Sequence, residues 1–499
     1  MISLLISLAA LIIGYVFYGK MVERAFGIDP KRKTPVTINA DGIDYVPMPS
    51  WKIFMIQFLN IAGLGPIFGA IMGAKFGISA YLWIVFGCII AGATHDYVSG
   101  MISLREDGAS LPEIIGKYLG KPVWVIMRIG TLILMILIGA VFVSGPAGLL
   151  AKMTPNYFDV TFWTCIVFGY YTLATMLPID KLIGKVYPLF AIALLFMAVG
   201  ILGALLWNHV QLPEFTDGFR NTHPSSDTLP IFPVMFVSIA CGAVSGFHAT
   251  QSPMMARCMK NEKQGRPIFY GAMIAEGVVA LIWAAAANWY YSENGMGESN
   301  AAIIVDGVTR EWLGSVGCVL AMLGVIAAPI TSGDTALRSA RMMAAEILKI
   351  KQNGFMNRLT ISIPIFLCAM SVLVYSQKDS AGFDMIWRYF SWTNQLLSCL
   401  TLWTCTVYFV KRNTVGSDIF VAHSEKNDSP RLKRYAYLLT LFPAIFMTMV
   451  CVSYICIAPE GFRLPIDISY IIGGIVTLVS VIWFIVWIRR IESLNRCIK

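Results

Sequence analysis

The segment Trp51–Phe76, WKIFMIQFLNIAGLGPIFGAIMGAKF, has the length and apolarity to cross a bilayer, but its middle holds Gly63-Leu64-Gly65-Pro66. Glycine is a poor helix former, and proline lacks the N–H that continues the ladder. A break at mid-depth exposes backbone N–H and C=O groups that lipid cannot satisfy. The break must therefore face protein, water or a ligand. The second half opens at Pro66, a favourable first helical position, and its leading N–H groups make an anion-binding end. A kink that serves only packing is the plainer reading of the same four residues.

The whole chain agrees with a membrane setting. Of its 499 residues 57% are hydrophobic and 13% charged, with mean hydropathy +0.68, whereas soluble domains carry about 25% charged residues. The net charge of +9 fits basic loops on the inner face of a membrane, and no nucleic-acid partner is expected. The opening ISLLISLAALIIGYVFYG lacks a basic n-region and a small-residue cleavage site, so it reads as a retained span. Most of the eleven cysteines lie in apolar segments, among them Cys88, Cys165, Cys241, Cys318, Cys368, Cys399, Cys405 and Cys451. Their spacing is neither metal-type nor disulfide-type, so they read as small core residues, with no metal site and no cofactor expected.

At about 20 apolar residues per crossing, thirteen spans follow. They are roughly 2–21, 51–76, 78–104, 123–150, 160–177, 182–207, 229–259, 268–291, 312–347, 357–375, 386–410, 435–457 and 468–488. Loops after even-numbered spans hold only Lys75, Lys152, Arg220, Arg310, Lys378, Arg388 and Arg463; the other 31 of 38 Lys and Arg residues lie on the opposite side. The positive-inside rule then places the N-terminus outside and the C-terminus in the cytoplasm. The loop 105–121 is expected to hold a short surface helix. The external loops 212–228 and 292–311 are polar, and the second suits a gate; 411–434 is a basic linker.

A second interrupted span is present. Span 7, LPIFPVMFVSIACGAVSGFHATQSPMMARCM, is broken at Cys241-Gly242-Ala243-Val244-Ser245-Gly246. It lies five crossings after span 2 and therefore runs the opposite way. Paired broken helices in inverted halves point to a binding site at the bilayer midplane. The expected organisation is residues 1–50 as first span and loop, 51–228 and 229–411 as inverted repeats of five spans, and 412–499 as linker and two last spans. That is an all-α, LeuT-like five-plus-five plan.

Ionisable groups at depth cost roughly +2.5–3.5 kcal/mol each and mark functional positions. His95-Asp96 in span 3 suits a proton carrier, although neighbours at i and i+1 point about 100° apart and need not touch. Span 9 carries Thr331, Ser332, Asp334 and Thr335 near Pro329; hydroxyls and freed carbonyls suit a cation, and Asp334 suits a proton. An Asp334–Arg338 pair at i,i+4 is the structural alternative. After the span 7 break come His248, Thr250, Gln251 and Ser252, which suit substrate contact or helix–helix hydrogen bonds. Glu276 in span 8 pairs with Arg128 or with another span. Arg388 to Gln395, RYFSWTNQ, reads as an interfacial belt or an outer gate over the site.

Five motifs, IAGLGPIFGAIMGAKFG (61–77), GATHDYVSGMISLREDGASLPEIIGKYLG (92–120), FHATQSPMMAR (247–257), TSGDTALRSAR (331–341) and RYFSWTNQ (388–395), resemble the carbon starvation protein A family in the same order. The resemblance implies a bacterial inner-membrane uptake carrier for peptides or pyruvate, with proton symport. Long members of that family carry a His-His pair where this chain has Ile56-Gln57, so a proton role for that pair does not carry over. They also extend further at the C-terminus, which makes this a short form.

The sequence thus predicts a secondary active importer. Substrate contacts are expected at Gly63, Gly65, Pro66, Gly242, Ser245, Gly246, His248, Thr250, Gln251 and Ser252. The coupling ion, H⁺ or Na⁺, is expected at His95, Asp96, Thr331, Ser332, Asp334 and Thr335. No enzyme is expected: Thr331-Ser332-Gly333-Asp334 lacks the first glycine of Gly-x-Gly-Asp, and no HExxH occurs. The rival class is a membrane sensor or channel.

Overall fold

The computed structural model describes residues 1–498 except 43, 156, 177–182, 298–300, 353, 377–379 and 415–429. Among the described residues there are helices and loops but no strand. Each of the thirteen apolar segments holds a helix or a broken helix. Eight are continuous, long and apolar enough to cross a membrane, by length and composition: Ile2–Phe26, Ser79–Arg105, Lys121–Met153, Tyr187–Trp207, Glu262–Asn294, Phe355–Tyr375, Leu432–Ile457 and Ile466–Ile491. Span 2 is the bent pair Ser50–Ile61 and Gly65–Ala74, with 53° between its halves. Span 5 is the shorter helix Val160–Met176. Span 7 is Ile231–Met235 with Phe236–Ser238, then a gap, then Gly246–Ala256.

Spans 9 and 11 are longer than hydropathy predicts. Span 9 is Ala301–Leu348, bent at Gly314, so most of the expected external gate is helical. Span 11 is Ser380–Thr414 and contains the whole RYFSWTNQ motif. The surface helix expected in 105–121 is Leu111–Leu119, opened by Pro112. Most of the basic linker 411–434 lies outside the described residues.

Burial sorts the helices into layers. Spans 3 and 8 are 78% and 83% buried over their most apolar windows, whereas span 13 is 11% buried. Span 8 manages this with Ala284, Ala285, Ala286 and Ala287, all fully buried; small side chains let membrane helices approach closely. Span 13 instead exposes Ile471, Ile475, Val479, Ile482 and Trp483, a surface suited to lipid. Span 9 packs on spans 4 and 6, and the second half of span 7 packs on span 3.

One end of the bundle is tied by the buried side-chain cation of Arg105. Arg105, at the end of span 3, donates through Nε and Nη2 to Glu262 at 2.9 Å each and to the Gly27 carbonyl at 2.7 Å. Its Nη1 lies 3.2 Å from the Tyr408 hydroxyl, and its guanidinium sits 4.3 Å from the Phe26 ring centre. Spans 1, 3 and 11 and the approach to span 8 thus share one charge.

Candidate functional site

The two breaks meet. A Cβ added to Gly65 would lie 2.2 Å from Cys241 Cβ and 2.3 Å from its Sγ, so only glycine lets spans 2 and 7 approach this closely. Gly242 has φ +91°, and a Cβ there would lie 2.5 Å from Ala280 Cβ in span 8. Left-handed backbone and contact with a neighbouring helix both demand glycine at that position. All residues from 61 to 70 and from 239 to 252 are buried, so the structure is closed around the breaks.

The helix end of span 2 that the sequence offers to an anion, and the matching end in span 7, are occupied by the protein's own acceptors. In span 2, the second half opens as a wide π turn at Gly65–Gly69. The N–H groups of Ile67 and Phe68 donate to the Leu64 carbonyl at 3.2 and 2.7 Å. In span 7, the Phe247 N–H donates to Asn394 Oδ1 at 2.7 Å, and Asn394 also bonds Ser245 Oγ, with Nδ2 at 3.0 Å. The N-cap residue Ser245 does not cap its helix by its own side chain; the amide arrives from span 11. A Cβ on Gly246 would lie 2.5 Å from the Asn394 carbonyl oxygen. Span 11 therefore reaches the span 7 break through Asn394 of RYFSWTNQ, a position that the gate reading allows and the belt reading does not.

The polar tail after the span 7 break divides in two. Thr250 Oγ1 donates to the Phe247 carbonyl at 2.6 Å and Ser252 Oγ to the His248 carbonyl at 3.0 Å. These two hydroxyls bond their own helix. Gln251 Nε2 donates to Thr250 Oγ1 at 2.9 Å, while its Oε1 is buried without a hydrogen bond.

His248 does more. Its Nδ1 lies 2.9 Å from Asp96 Oδ2, and His95 Nδ1 lies 2.7 Å from Asp96 Oδ1. The adjacent His95 and Asp96 touch despite their helical offset, because the imidazole folds back on its neighbour. An ionised carboxylate only accepts hydrogen bonds, so both Nδ1 atoms are the protonated ones. In the neutral rings the Nε2 lone pairs are then free. That of His248 faces Glu276 Oε2 at 3.4 Å. Glu276 is thus the partner of His248, not of Arg128, which pairs with Glu113. All four residues are fully buried. His248 Nε2 and both Glu276 oxygens lack a hydrogen bond of good geometry. A lone pair facing a carboxylate repels it unless a proton or a cation lies between them.

The span 9 residues form a separate cluster. Asp334 accepts from the Tyr187 hydroxyl at 2.6 Å and from Thr175 Oγ1 at 3.4 Å. Arg338 is buried and donates to the Ala174 carbonyl at 2.5 Å. Thr331 and Thr335 donate back to carbonyls of their own helix. Of the three hydroxyls of Thr331, Ser332 and Thr335, that of Ser332 crosses over, its Oγ reaching the Leu59 and Asn60 carbonyls of span 2 at 3.1 and 2.9 Å. The buried amides of Gln57 and Asn60 make no side-chain hydrogen bond.

Comparison with known proteins places this geometry. Three overlapping matches to the family described as carbon starvation protein CstA cover residues 1–155, 151–303 and 294–422. The chain belongs to the CstA family. An uncharacterized membrane protein of Haemophilus influenzae is 46% identical over 321 residues, covering 55% of this chain and 86% of that one. The pyruvate/proton symporter BtsT of Escherichia coli is 29% identical, covering 56% of this chain and 48% of its own length. The peptide transporter CstA of E. coli is 24% identical, covering 81% and 76%. The chain thus spans about half of BtsT and three quarters of the E. coli CstA protein. In solved structures the same fold occurs in MhsT bound to L-phenylalanine, with TM-score 0.58, 14% identity and coverage of 81% of this chain and 98% of that one. It occurs also in a manganese transporter of Eremococcus coleocola, with TM-score 0.57, 11% identity and coverage of 91% and 99%. The LeuT-like plan expected from the two breaks is the fold of this CstA-family chain. BtsT, the E. coli CstA protein and the two structural neighbours are transporters rather than enzymes.

Proposed function

We propose that this chain is a proton-coupled secondary active importer of small carboxylates, working by alternating access in a bacterial cytoplasmic membrane. The single observation that carries the reading is the fully buried His95–Asp96–His248–Glu276 chain, which begins on span 3 and ends on span 8 beside both breaks. Between His248 Nε2 and Glu276 a proton relieves the repulsion of lone pair and carboxylate. Loading that proton therefore favours the closed packing of spans 3, 7 and 8, and losing it favours separation. A ligand shifts such an equilibrium only by its differential affinity for the two states, and the proton has one here.

The substrate carboxylate takes the helix ends now filled by the Leu64 carbonyl and Asn394 Oδ1, next to Gly65, Pro66, Gly242, Ser245 and Gly246. The relatives are named for pyruvate and for peptides. The direct contact of the two breaks favours a substrate of a few heavy atoms, of the pyruvate class, over a peptide. Residues 51–228 and 229–411 are the two repeats that move against each other, with the N-terminus outside and the C-terminus inside. A second reading of the coupling ion rests on Ser332 Oγ with the Leu59 and Asn60 carbonyls, three oxygens of the kind that bind Na⁺.

The test is uptake of labelled pyruvate and of a labelled dipeptide into proteoliposomes, with an imposed inward proton gradient and a protonophore control. Pyruvate accumulation abolished by the protonophore supports the proposal. Accumulation of the dipeptide alone overturns the substrate class. Accumulation only with added Na⁺ moves the coupling to the Ser332 site, and binding with no accumulation overturns transport itself.

A further inference from the structure

Three side chains at the junction of the breaks share a property that proton coupling does not use. The Sγ of Cys241, the Nε2 of His248 and a carboxylate oxygen of Glu276 lie within 4.8 Å of one another, and all three residues are buried. The sequence conceals the group, because the cysteine and histidine are seven positions apart across a helix break and the glutamate belongs to the next span.

We propose that Cys241, His248 and Glu276 form a binding site for a borderline-soft divalent cation of the zinc class. The ligand set is one that zinc accepts, with Zn–N about 2.0–2.1 Å, Zn–O about 2.0–2.2 Å and Zn–S about 2.3 Å. Tetrahedral geometry at those lengths sets nitrogen and carboxylate oxygen about 3.4 Å apart. His248 Nε2 and Glu276 Oε2 stand 3.4 Å apart. The thiol sulfur lies within 4.8 Å of both atoms and would supply the third ligand.

Two further observations point to a ligand. His248 Nε2 and both oxygens of Glu276 are buried without a hydrogen bond of good geometry, the two groups facing each other at 3.4 Å. The other nitrogen of His248, Nδ1, is fixed on Asp96 Oδ2 at 2.9 Å, and Asp96 is held in turn by His95. A carboxylate on the far nitrogen is the outer-shell arrangement of metal-bound histidines; it sets the tautomer so that Nε2 points at the metal and raises its basicity. The Cys241 thiol, which in this closed structure donates to Ser245 Oγ at 3.5 Å and accepts from Asn394 Nδ2 at 3.8 Å, would exchange those weak contacts for the metal.

The binding claim does not depend on the transport reading, but it has a consequence for it. The metal takes the place of the shared proton and pins the span 7 break to span 8, so an occupied chain cannot cycle. Zinc is then an inhibitor bound at the break, reached when the site opens.

The experiment is a Co²⁺ titration of the purified, metal-stripped full chain in detergent. The expected result is one equivalent bound with a near-ultraviolet thiolate-to-cobalt charge-transfer band, tetrahedral visible bands, and loss of both on adding Zn²⁺. Cys241→Ser and Cys241→Ala should remove the charge-transfer band while unfolding as cooperatively as the unmodified chain. Asp96→Asn should keep the band and weaken binding about 10–100-fold, as outer-shell changes do. Absence of the band in the unmodified chain, or its survival in both Cys241 variants, overturns the proposal. So does a Zn²⁺-induced rise in unfolding temperature that is equal with and without Cys241.

Discussion

Gly65→Ala is the smallest change that probes the contact between the two breaks. The backbone at Gly65 is not left-handed, so alanine carries no conformational penalty and the effect is steric. The new Cβ would lie 2.2 Å from Cys241 Cβ. Carbon atoms pack at about 3.5–4.0 Å, so the halves must separate by roughly 1.5 Å or distort. Overpacking of this kind costs about 1–3 kcal/mol. At about 1.4 kcal/mol per factor of ten, the closed state loses between about fivefold and a hundredfold in occupancy. Pyruvate uptake into proteoliposomes should fall by that order while the protein still inserts and elutes as a single species. Cys241→Gly on the same chain removes both clashing atoms and leaves the Cys241 Cα at 3.6 Å from the new methyl, an ordinary contact. The double variant should therefore recover, relative to Cys241→Gly alone, with a coupling of about 1–3 kcal/mol in unfolding free energy. Gly65→Ala with unmodified uptake, or a double variant as defective as Gly65→Ala, would refute the close approach of spans 2 and 7.

Other outcomes follow from single contacts. Asn394→Ala removes the acceptor of the Phe247 N–H and should cost about 1 kcal/mol, as lost helix caps do, read as a lower unfolding temperature. Asn394→Asp should instead raise the pyruvate concentration for half-maximal uptake by tenfold or more, because a fixed carboxylate then holds the helix end. Glu276→Gln should preserve pyruvate exchange between equal pools while abolishing accumulation driven by a proton gradient; intact accumulation would remove Glu276 from the coupling route. Glu262→Gln leaves Arg105 buried without its carboxylate and should destabilise by about 3–5 kcal/mol, measured by thermal unfolding in detergent.

The sequence was informative where backbone chemistry decides the structure. Gly63 to Pro66 and Cys241 to Gly246 cannot continue a buried helix, so both breaks, and through them the inverted plan, were legible. Thirteen segments were readable because a bilayer demands length and apolarity. Partnerships between spans were not. Nothing local to Glu276 says that it faces His248, and nothing local to Tyr187 says that it bonds Asp334 across spans 6 and 9. Asn394 hid within an aromatic motif whose composition suggests a membrane interface. Hydroxyl spacing does not reveal that Thr331, Thr335, Thr250 and Ser252 donate to their own helices, as a buried threonine or serine readily does to a carbonyl three or four residues back.

On the proposed substrate site, the amide of Asn394 on the Phe247 N–H sets a ceiling on how tightly this chain can hold its cargo. A carboxylate arriving there does not meet a vacant donor; it must evict an acceptor tethered at high effective concentration. The gain is only the difference between a charged and a neutral acceptor, and charge-assisted bonds are roughly twice as strong as neutral ones. Tight binding would be a handicap for a protein that must let go on the other side. An internal competitor solves that problem within the fold, because the same amide that resists loading returns to speed unloading. Turnover and affinity are then set by one side chain, and they should move in opposite directions whenever position 394 is changed.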